Sequence, residues 1–156
     1  MIRLALAALA LTACAPNPAP HVALRDTGRQ IYSLAGFDGT RITGDWLQVG
    51  GFGTACSGGS MKIGAVTDYA LCLPSGIRRG QGALREGVPG RFDLAGLGAF
   101  WVLWVDADNR TLVVGSPAGD YGLVLNRTAD LPDDRRKGAR DILEFNGYDV
   151  TSLRFY

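Results

Sequence analysis

The sequence predicts an all-β protein, an eight-stranded antiparallel up-and-down barrel with a C-terminal helix packed outside it. Three observations support this fold class. The 156 residues include 22 glycines, the apolar runs are short and separated by turn residues, and one late stretch alone has helical spacing. With 47% hydrophobic and 20% charged residues, the chain has the composition of a globular protein and the length of one domain.

Eight apolar runs are the predicted strands. Gly80 and Gly82 in the fourth run indicate bends in a curved sheet. The connections are short, which favours antiparallel neighbours in sequence order. A meander of eight strands closes into a barrel and so removes exposed edges. The runs span residues 45–52, 60–63, 66–73, 78–84, 91–94, 99–105, 111–115 and 121–126.

The single helix is predicted between residues 131 and 146. Pro132 and two aspartates after it suit a first helical turn, where acidic side chains oppose the helix dipole. Ala139, Ile142 and Leu143 fall on one face at spacings of three and four. Gly147, after Asn146, is a helix stop signal. A short final strand is expected over residues 152–155.

Residues 1–13 read as a signal peptide. Arg3 gives a positive start, and the apolar run 4–13 is too short to span a bilayer as a helix. The sequence Leu-Thr-Ala-Cys ending at Cys14 resembles the bacterial lipobox. That resemblance implies that Cys14 is lipidated, with palmitate among its acyl chains, and several chains at one site give durable anchoring. The alternative is a plain secretory signal followed by an incidental cysteine.

Residues 14–22 are then the lipidated cysteine and a Pro-rich tether, and residues 23–156 are the domain. Proline at alternate positions favours an extended, semi-rigid linker. Ala15 follows the cysteine, and by the sorting rule of enteric lipoproteins a residue other than Asp implies the outer membrane, lipid-anchored on the periplasmic side. His21, the only histidine, lies in this linker and is expected to be neither ligand nor catalyst.

Charge and motifs exclude several function classes. The formal net charge is +1, and loss of Arg3 with the signal leaves a balanced protein without a nucleic-acid footprint. The chain has no Gly-x-Ser-x-Gly, no His-Glu-x-x-His and no phosphate loop. We therefore expect no catalytic residues, no cofactor and no metal.

Cys56 and Cys72 remain once Cys14 is lipidated. An even pair in an oxidising compartment predicts a structural disulfide. If Gly64 centres a hairpin turn, the two cysteines lie opposite each other. The alternative is an enzyme with a nucleophilic thiol, although no histidine is available to activate it.

The order of elements, together with two signature positions, is similar to the lipocalin family. Gly44-Asp45-Trp46 matches the Gly-x-Trp signature of the first lipocalin strand, and Arg127 matches the arginine that packs over that tryptophan. A guanidinium lying on an indole ring is a favourable pair. The resemblance implies that Gly44, Trp46 and Arg127 close one end of the barrel.

Residues 100–128 look most like the bacterial apolipoprotein-D-like branch of that family, whose members are outer-membrane lipoproteins. The matching segments are Trp104-Val105-Asp106, Val114-Gly115-Ser116-Pro117 and the Tyr-x-x-x-Leu-x-Arg spacing of residues 121–127. Residues 56–91 depart from the family, because they are compact and glycine-rich. Short central strands of this kind would give the barrel a smaller or shallower ligand cavity.

The resemblance implies a binding protein for one small hydrophobic ligand, such as a fatty acid or lysophospholipid. In residues 100–105 both alternating sets are apolar, so the pattern does not show which set faces inward. The alternative is a structural or partner-binding envelope lipoprotein with a barrel filled by side chains. The sequence makes no prediction of oligomeric state. The candidate lining residues are Phe100, Val102, Trp104, Tyr121 and Leu123.

Overall fold

The computed structural model describes residues 23–156. The signal peptide 1–13, the lipidated Cys14 and the tether 14–22 lie outside these residues and stay predictions. Among the described residues, no helix is both long and apolar enough to cross a bilayer.

The described chain consists of ten strands, one α-helix and one 3₁₀ helix. The 3₁₀ helix, Gly39–Ile42, precedes the first strand, and the α-helix follows the ninth. The elements are β1 Gly44–Gly51, β2 Gly59–Ile63, β3 Thr67–Leu73, β4 Gly76–Gly82, β5 Leu84–Val88, β6 Arg91–Leu94, β7 Gly98–Val105, β8 Thr111–Gly115, β9 Gly122–Asn126, α1 Asp133–Phe145 and β10 Arg154–Phe155.

The strands form one antiparallel sheet that nearly closes into a barrel. Its order is β4-β3-β2-β1-β9-β8-β7-β6-β5, with β10 added beside β1. The two ends of this path, β4 and β5, are consecutive in the chain and separated by Ala83 alone. The predicted all-β barrel with an external C-terminal helix is confirmed. The predicted fourth strand, 78–84, is in fact two segments: β4 pairs with β3, whereas β5 pairs with β6.

The barrel has two different ends. The 3₁₀ helix and the turns after β2, β5 and β7 lie at one end, which we call the closed end. The loops after β1, β3, β6 and β8 lie at the other, which we call the open end. Helix α1 starts near the closed end, where Arg135 donates to Thr111 Oγ1 over 2.9 Å. It finishes near the open end, because Tyr148, just beyond it, contacts Ser116 in the loop after β8.

Two apolar cores lie on opposite faces of the sheet. The outer core fills the space between the sheet and α1, and it includes Ala139 and Leu143, with the partly buried Ile142 packed against it. The predicted apolar face of the helix therefore packs against the barrel. The interior core lies inside the barrel and contains Phe37, Ile42, Trp46, Met61, Ile63, Tyr69, Leu71, Leu73, Phe92, Leu94, Phe100, Val102, Val105, Leu112, Val114, Tyr121, Leu123 and Leu125.

A bulge in β7 changes which side chains point inward. Val102 pairs with Val114, but Trp104 pairs with Val113, so Leu103 is an extra residue in the ladder. A bulge interrupts the two-residue alternation of a strand. Phe100 and Val102 therefore belong to the interior core, whereas Trp104 packs on the outer core beside α1. The prediction that Trp104 lines the interior is wrong for this reason.

The inner face of β4 carries almost no side-chain bulk. Gly80 lies opposite Tyr69 and Gly82 opposite Thr67, on the inward-facing positions. A Cβ on Gly80 would lie 2.4 Å from the Tyr69 hydroxyl, and one on Gly82 would lie 2.5 Å from the Cβ of Ala95. Because these positions are glycine, the Tyr69 side chain can pass over the inner face of β4, and its hydroxyl donates to Ala95 O over 3.2 Å.

Cys56 and Cys72 form the predicted disulfide, with their Cα atoms 5.7 Å apart. The turn between β2 and β3 is centred on Ala65 and not on Gly64, because Lys62 pairs with Asp68. Cys56 lies in the loop before β2 rather than opposite Cys72 in a ladder. With both sulfurs bonded to each other, neither is a free thiol that could act as a nucleophile.

Candidate binding site at the open end of the barrel

At the closed end, Arg127 covers Trp46. The guanidinium carbon lies 3.6 Å from the centroid of the indole ring. Arg127 also donates to Thr43 O and Asp45 O, each over 2.9 Å, so its planar fork joins the entry and the start of β1 to the end of β9. Burial lowers the pKa of Arg127 from its usual value, and the nearby Asp45 carboxylate opposes that shift.

Two further features fix this closure. Trp46 is buried, and its Nε1 donates to Ile42 O in the 3₁₀ helix over 2.7 Å. Gly44 has a φ of +105°, a conformation that other residues adopt only with strain. A Cβ there would lie 3.1 Å from Arg127 Nη1. Glycine at position 44 is therefore required for two reasons: the backbone has a positive φ, and the arginine occupies the space that a side chain would need.

The deeper part of the barrel is filled by side chains. Four of the five predicted lining residues, Phe100, Val102, Tyr121 and Leu123, lie in the interior core with no more than 1% of their surface exposed. Phe100, Val102 and Leu123 contact other core side chains rather than an open chamber, whereas Tyr121 also borders a cavity near the rim. Ligand binding therefore has to use space nearer the rim or displace part of this core.

A cavity of about 430 Å³ lies at the open end, and we call it the mouth. It is formed by the turn after β3, the turn after β6 and the loop after β8. Leu73 and Tyr121, both buried, belong to the interior core and form its apolar floor. The mouth is lined by Leu73, Pro74, Ser75, Arg78, Leu97, Asp120 and Tyr121.

Two adjacent arginines on β4 point in opposite directions. Arg78 pairs with Leu71 of the interior core, so it lies on the inner face at the mouth. Its Nη1 donates to Gly96 O over 3.4 Å, a long hydrogen bond, and the side chain is exposed. Arg79 pairs with Ala70 and lies on the outer face. Across the mouth, the Asp120 carboxylate accepts from Ser116 Oγ over 3.0 Å.

A larger groove, about 610 Å³, lies on the outer face of β1 to β4. Its exposed lining is mostly charged or polar, with Asp45, Lys62 and Asp68 side by side across three strands. Opposite charges on neighbouring strands stabilise the sheet through cross-strand pairing. This groove is an open depression on the outer face, whereas the mouth is more enclosed and borders the interior core, so the mouth is the better candidate for an apolar ligand despite its smaller volume.

Two buried tyrosines support the mouth from below. Tyr121 donates to Ala99 O over 2.6 Å, and Tyr148 donates to Tyr121 O over 2.8 Å. Burial raises the pKa of Tyr121 well above its usual value and also raises that of Tyr148. Both hydroxyls are therefore neutral donors at ordinary pH. Within residues 23–156 no group of three or more His, Cys, Asp or Glu side chains is arranged to hold a metal ion.

Arg25 is a structural residue of the open end that the sequence does not reveal. It is 5% exposed, and its guanidinium donates to Pro117 O over 2.8 Å and to Asn146 O over 3.0 Å. It thus joins the loop after β8 to the end of α1. These partners lie 92 and 121 residues away in the chain, so no local pattern indicates them.

Gln48 is a second residue that sequence reasoning missed. It is buried, and its side-chain amide accepts from Cys72 N over 2.7 Å and donates to Cys72 O over 2.8 Å. Since β2 starts only at Gly59, the amide takes the place of a neighbouring strand beside the end of β3. Buried backbone groups need such partners.

Comparison with known proteins places the similarity mainly in the second half of the chain. A family model described as a lipocalin-like domain matches residues 91–156. Temperature-induced lipocalin-1 of Arabidopsis thaliana is 32% identical over 56 residues, which are 36% of this chain and 30% of the plant protein. The match thus spans less than a third of that relative's length.

Solved structures extend the likeness to most of the barrel. Lobster apocrustacyanin A1 has a TM-score of 0.50 and 16% identity, over 76% of this chain and 78% of the lobster chain. The siderocalin Ex-FABP has a TM-score of 0.54 and 14% identity, over 72% of this chain and 91% of its own. At these identities the comparison shows the fold alone, and that fold is the one lipocalins have.

Proposed function

We propose that this chain is a membrane-anchored lipocalin of the bacterial cell envelope that binds a single-chain lipid at the mouth. The observation that carries the proposal is the mouth itself, a cavity of about 430 Å³ with an apolar floor and a charged rim. Ligand sites are mostly apolar, with a few polar groups that fix orientation. The volume lies toward the small end of such sites, which favours one acyl chain over two.

The rim suggests which headgroup is bound. Arg78 is placed to pair with a phosphate or carboxylate, since a guanidinium forms strong charge-assisted hydrogen bonds with such groups. Asp120, on the other side of the mouth, favours a cationic group. A lysophospholipid with a phosphate and an ammonium group complements both, whereas a fatty acid complements Arg78 alone.

The anchor comes from the sequence. A lipidated Cys14 followed by the Pro-rich tether 14–22 would hold the domain at the outer membrane on its periplasmic side. Lysophospholipids and fatty acids are released from membranes, so an anchored binder would meet its ligand where the ligand is formed.

The test measures lipid binding by the mature chain and by two matched variants. We expect Arg78→Gln to weaken lysophosphatidylethanolamine binding by roughly 10- to 100-fold, because a hydrogen bond to a charged group contributes about 1.5–3 kcal/mol. Arg79→Gln, one residue away on the outer face, is expected to leave the affinity unchanged. Isothermal titration gives the affinities, and native mass spectrometry identifies any lipid that co-purifies.

The packed interior favours a second candidate function, a structural or partner-binding envelope protein. Inward-facing Gly80 and Gly82 bring the wall close to Tyr69 and Ala95, so the barrel closes on its own side chains. On this alternative, neither lysophospholipid nor fatty acid binds, and the protein purifies empty. Equal binding by the Arg78 and Arg79 variants would contradict the mouth as the site.

A further inference from the structure

Tyr32 and Phe145 form an exposed pair of aromatic rings. They are 49% and 60% exposed, and their ring centroids lie 5.6 Å apart. Arg29 and Gln30 border them on the surface. We call Arg29, Tyr32 and Phe145 the aromatic patch. Its two rings stay exposed while in contact with each other, which distinguishes them from the isolated exposed side chains of the strands and turns.

Hydrogen bonds hold the aromatic patch in place. Asn146 Oδ1 accepts from Tyr32 N over 2.7 Å, and Phe145 O accepts from Arg29 Nη2 over 3.2 Å. Asn146 also closes the end of α1, donating from Nδ2 to Ile142 O over 2.9 Å. The rings therefore sit on a fixed platform at the C-terminal end of the helix.

The described chain starts beside the mouth and close to the aromatic patch. Leu24 N donates to Gly119 O over 2.9 Å, in the loop that supplies Asp120 to the mouth. Arg25 then joins that loop to the end of α1 and also donates to Arg29 O. The point where the tether meets the domain, the mouth and the aromatic patch thus lie at the same end of the molecule.

The tether is short enough to keep this end near the membrane. Cys14 and Ala23 are separated by nine residue steps, and an extended Pro-rich segment spans about 3.1 Å per residue, or about 28 Å in total. A lipid on Cys14 would therefore keep the attachment point at the open end within about 28 Å of the bilayer, a limit that does not apply to the closed end.

We propose that the aromatic patch rests on the lipid bilayer and directs the mouth toward it. This rests on the anchoring at Cys14 in the proposed function. Tyrosine is enriched at membrane–water interfaces, where a ring with a polar tip meets both environments. Asp26 precedes Arg29 by three residues and Glu144 is next to Phe145, so the aromatic patch has no excess of positive charge; we expect the contact to depend on the rings and to change little with salt.

The test compares two positions on the full chain purified from bacterial membranes and reconstituted in phosphatidylethanolamine–phosphatidylglycerol vesicles. A nitroxide is attached through Gln30→Cys, beside the aromatic patch, or through Val66→Cys, on an exposed turn at the closed end. Electron paramagnetic resonance measures how far a water-soluble nickel complex reaches each label. We expect accessibility at position 30 to fall several-fold on vesicles, and accessibility at position 66 to stay unchanged.

Paired variants show whether the rings cause the protection. Tyr32→Ser with Phe145→Ser is expected to return the position-30 label to water. Ile77→Ser with Val88→Ser removes two other exposed apolar side chains and is expected to leave the protection intact. All four side chains are exposed, so loss of the fold does not confuse the result.

Five outcomes would overturn the inference. Equal accessibility at positions 30 and 66, or protection at 66 alone, would show that the open end does not face the bilayer. Protection at 30 that depends on protein concentration and not on vesicles would assign the aromatic patch to a second copy of the chain. The N-terminal mass separates the two proposals: an unacylated Cys14 removes the anchor and this inference together, whereas acylation with an exposed label overturns the inference alone.

Discussion

The two halves of the barrel are built differently. In β8 and β9 every residue is buried, because the interior core lies on one side and the outer core under α1 on the other. In β4 and β5 no residue is fully buried, and most are exposed. The residues matched by the lipocalin-like model, 91–156, include the two-layered half, whereas the glycine-rich half lies outside the match.

This difference shows how a barrel with so few large side chains on β4 and β5 is stabilised. The second half supplies large apolar side chains to both cores, and the inner face of β4 supplies glycine and lets Tyr69 fill the space. Strands β1 to β3 also supply large apolar side chains to the interior core, including Trp46, Met61 and Leu71, and the first half is further held by the Cys56–Cys72 disulfide and the buried amide of Gln48 beside β3. Stability is therefore expected to depend least on β4 and β5, and most on β8, β9, the helix packed against them and the contact between Trp46 and Arg127 that joins the two halves.

Truncation of Trp46, whose contact with Arg127 joins the two halves, should have the largest effect on stability. Trp46 in β1 is covered by Arg127 at the end of β9, and Trp46→Ala is expected to lower the free energy of unfolding by about 3–5 kcal/mol, as for other buried large-to-small changes. The matched control is Trp101→Ala, whose ring carries Arg91 at 4.0 Å on the outer surface. We expect that control to cost at most about 2 kcal/mol. Urea denaturation measures both free energies of unfolding, and an unchanged value for Trp46→Ala would contradict the closure.

The contrast between the halves is tested next by two aliphatic truncations. Leu143→Ala removes a fully buried side chain from under α1 and is expected to cost about 2–5 kcal/mol. Ile77→Ala, on the outer face of β4 and 42% exposed, is expected to change stability by about 0.5 kcal/mol or less. Similar losses in the two variants, measured by the same denaturation assay, would show that the one-layered half is as important to stability as the two-layered half.

Local patterns were sufficient to predict most of the fold. Eight apolar runs separated by turns gave a barrel, and the spacing of Ala139, Ile142 and Leu143 gave a helix with one buried face. They could not predict β5, because Leu84–Val88 has no alternation of apolar and polar residues. Its strand conformation comes from pairing with β6.

The site was harder to predict than the fold. Two-residue alternation from Phe100 places Trp104 in the interior, but a single extra residue in the β7 ladder turns it outward. Because the whole run is apolar, its sequence does not indicate such a bulge. Leu97 and Arg78 meet at the mouth through turns that are distant in sequence. The mouth therefore follows from strand register and loop placement, which are tertiary properties.

The smallest effect concerns the two tyrosines under the mouth, both in the two-layered half. Burial raises the pKa of Tyr121 and of Tyr148 in the folded chain, whereas both titrate near 10 when unfolded.

Below pH 10 both states keep these protons, so the contribution to stability is complete. Above pH 10 the unfolded chain loses protons that the folded chain retains, so stability falls by about 1.4 kcal/mol per pH unit for each tyrosine. Burial also raises the pKa of Tyr156, so three tyrosines contribute. We expect Tyr148→Phe to reduce the slope between pH 10 and 11 by roughly a third, measured by urea denaturation across the range. An unchanged slope in Tyr148→Phe would show that the hydroxyl reaches solvent and that the open end is less tightly packed than the structure indicates.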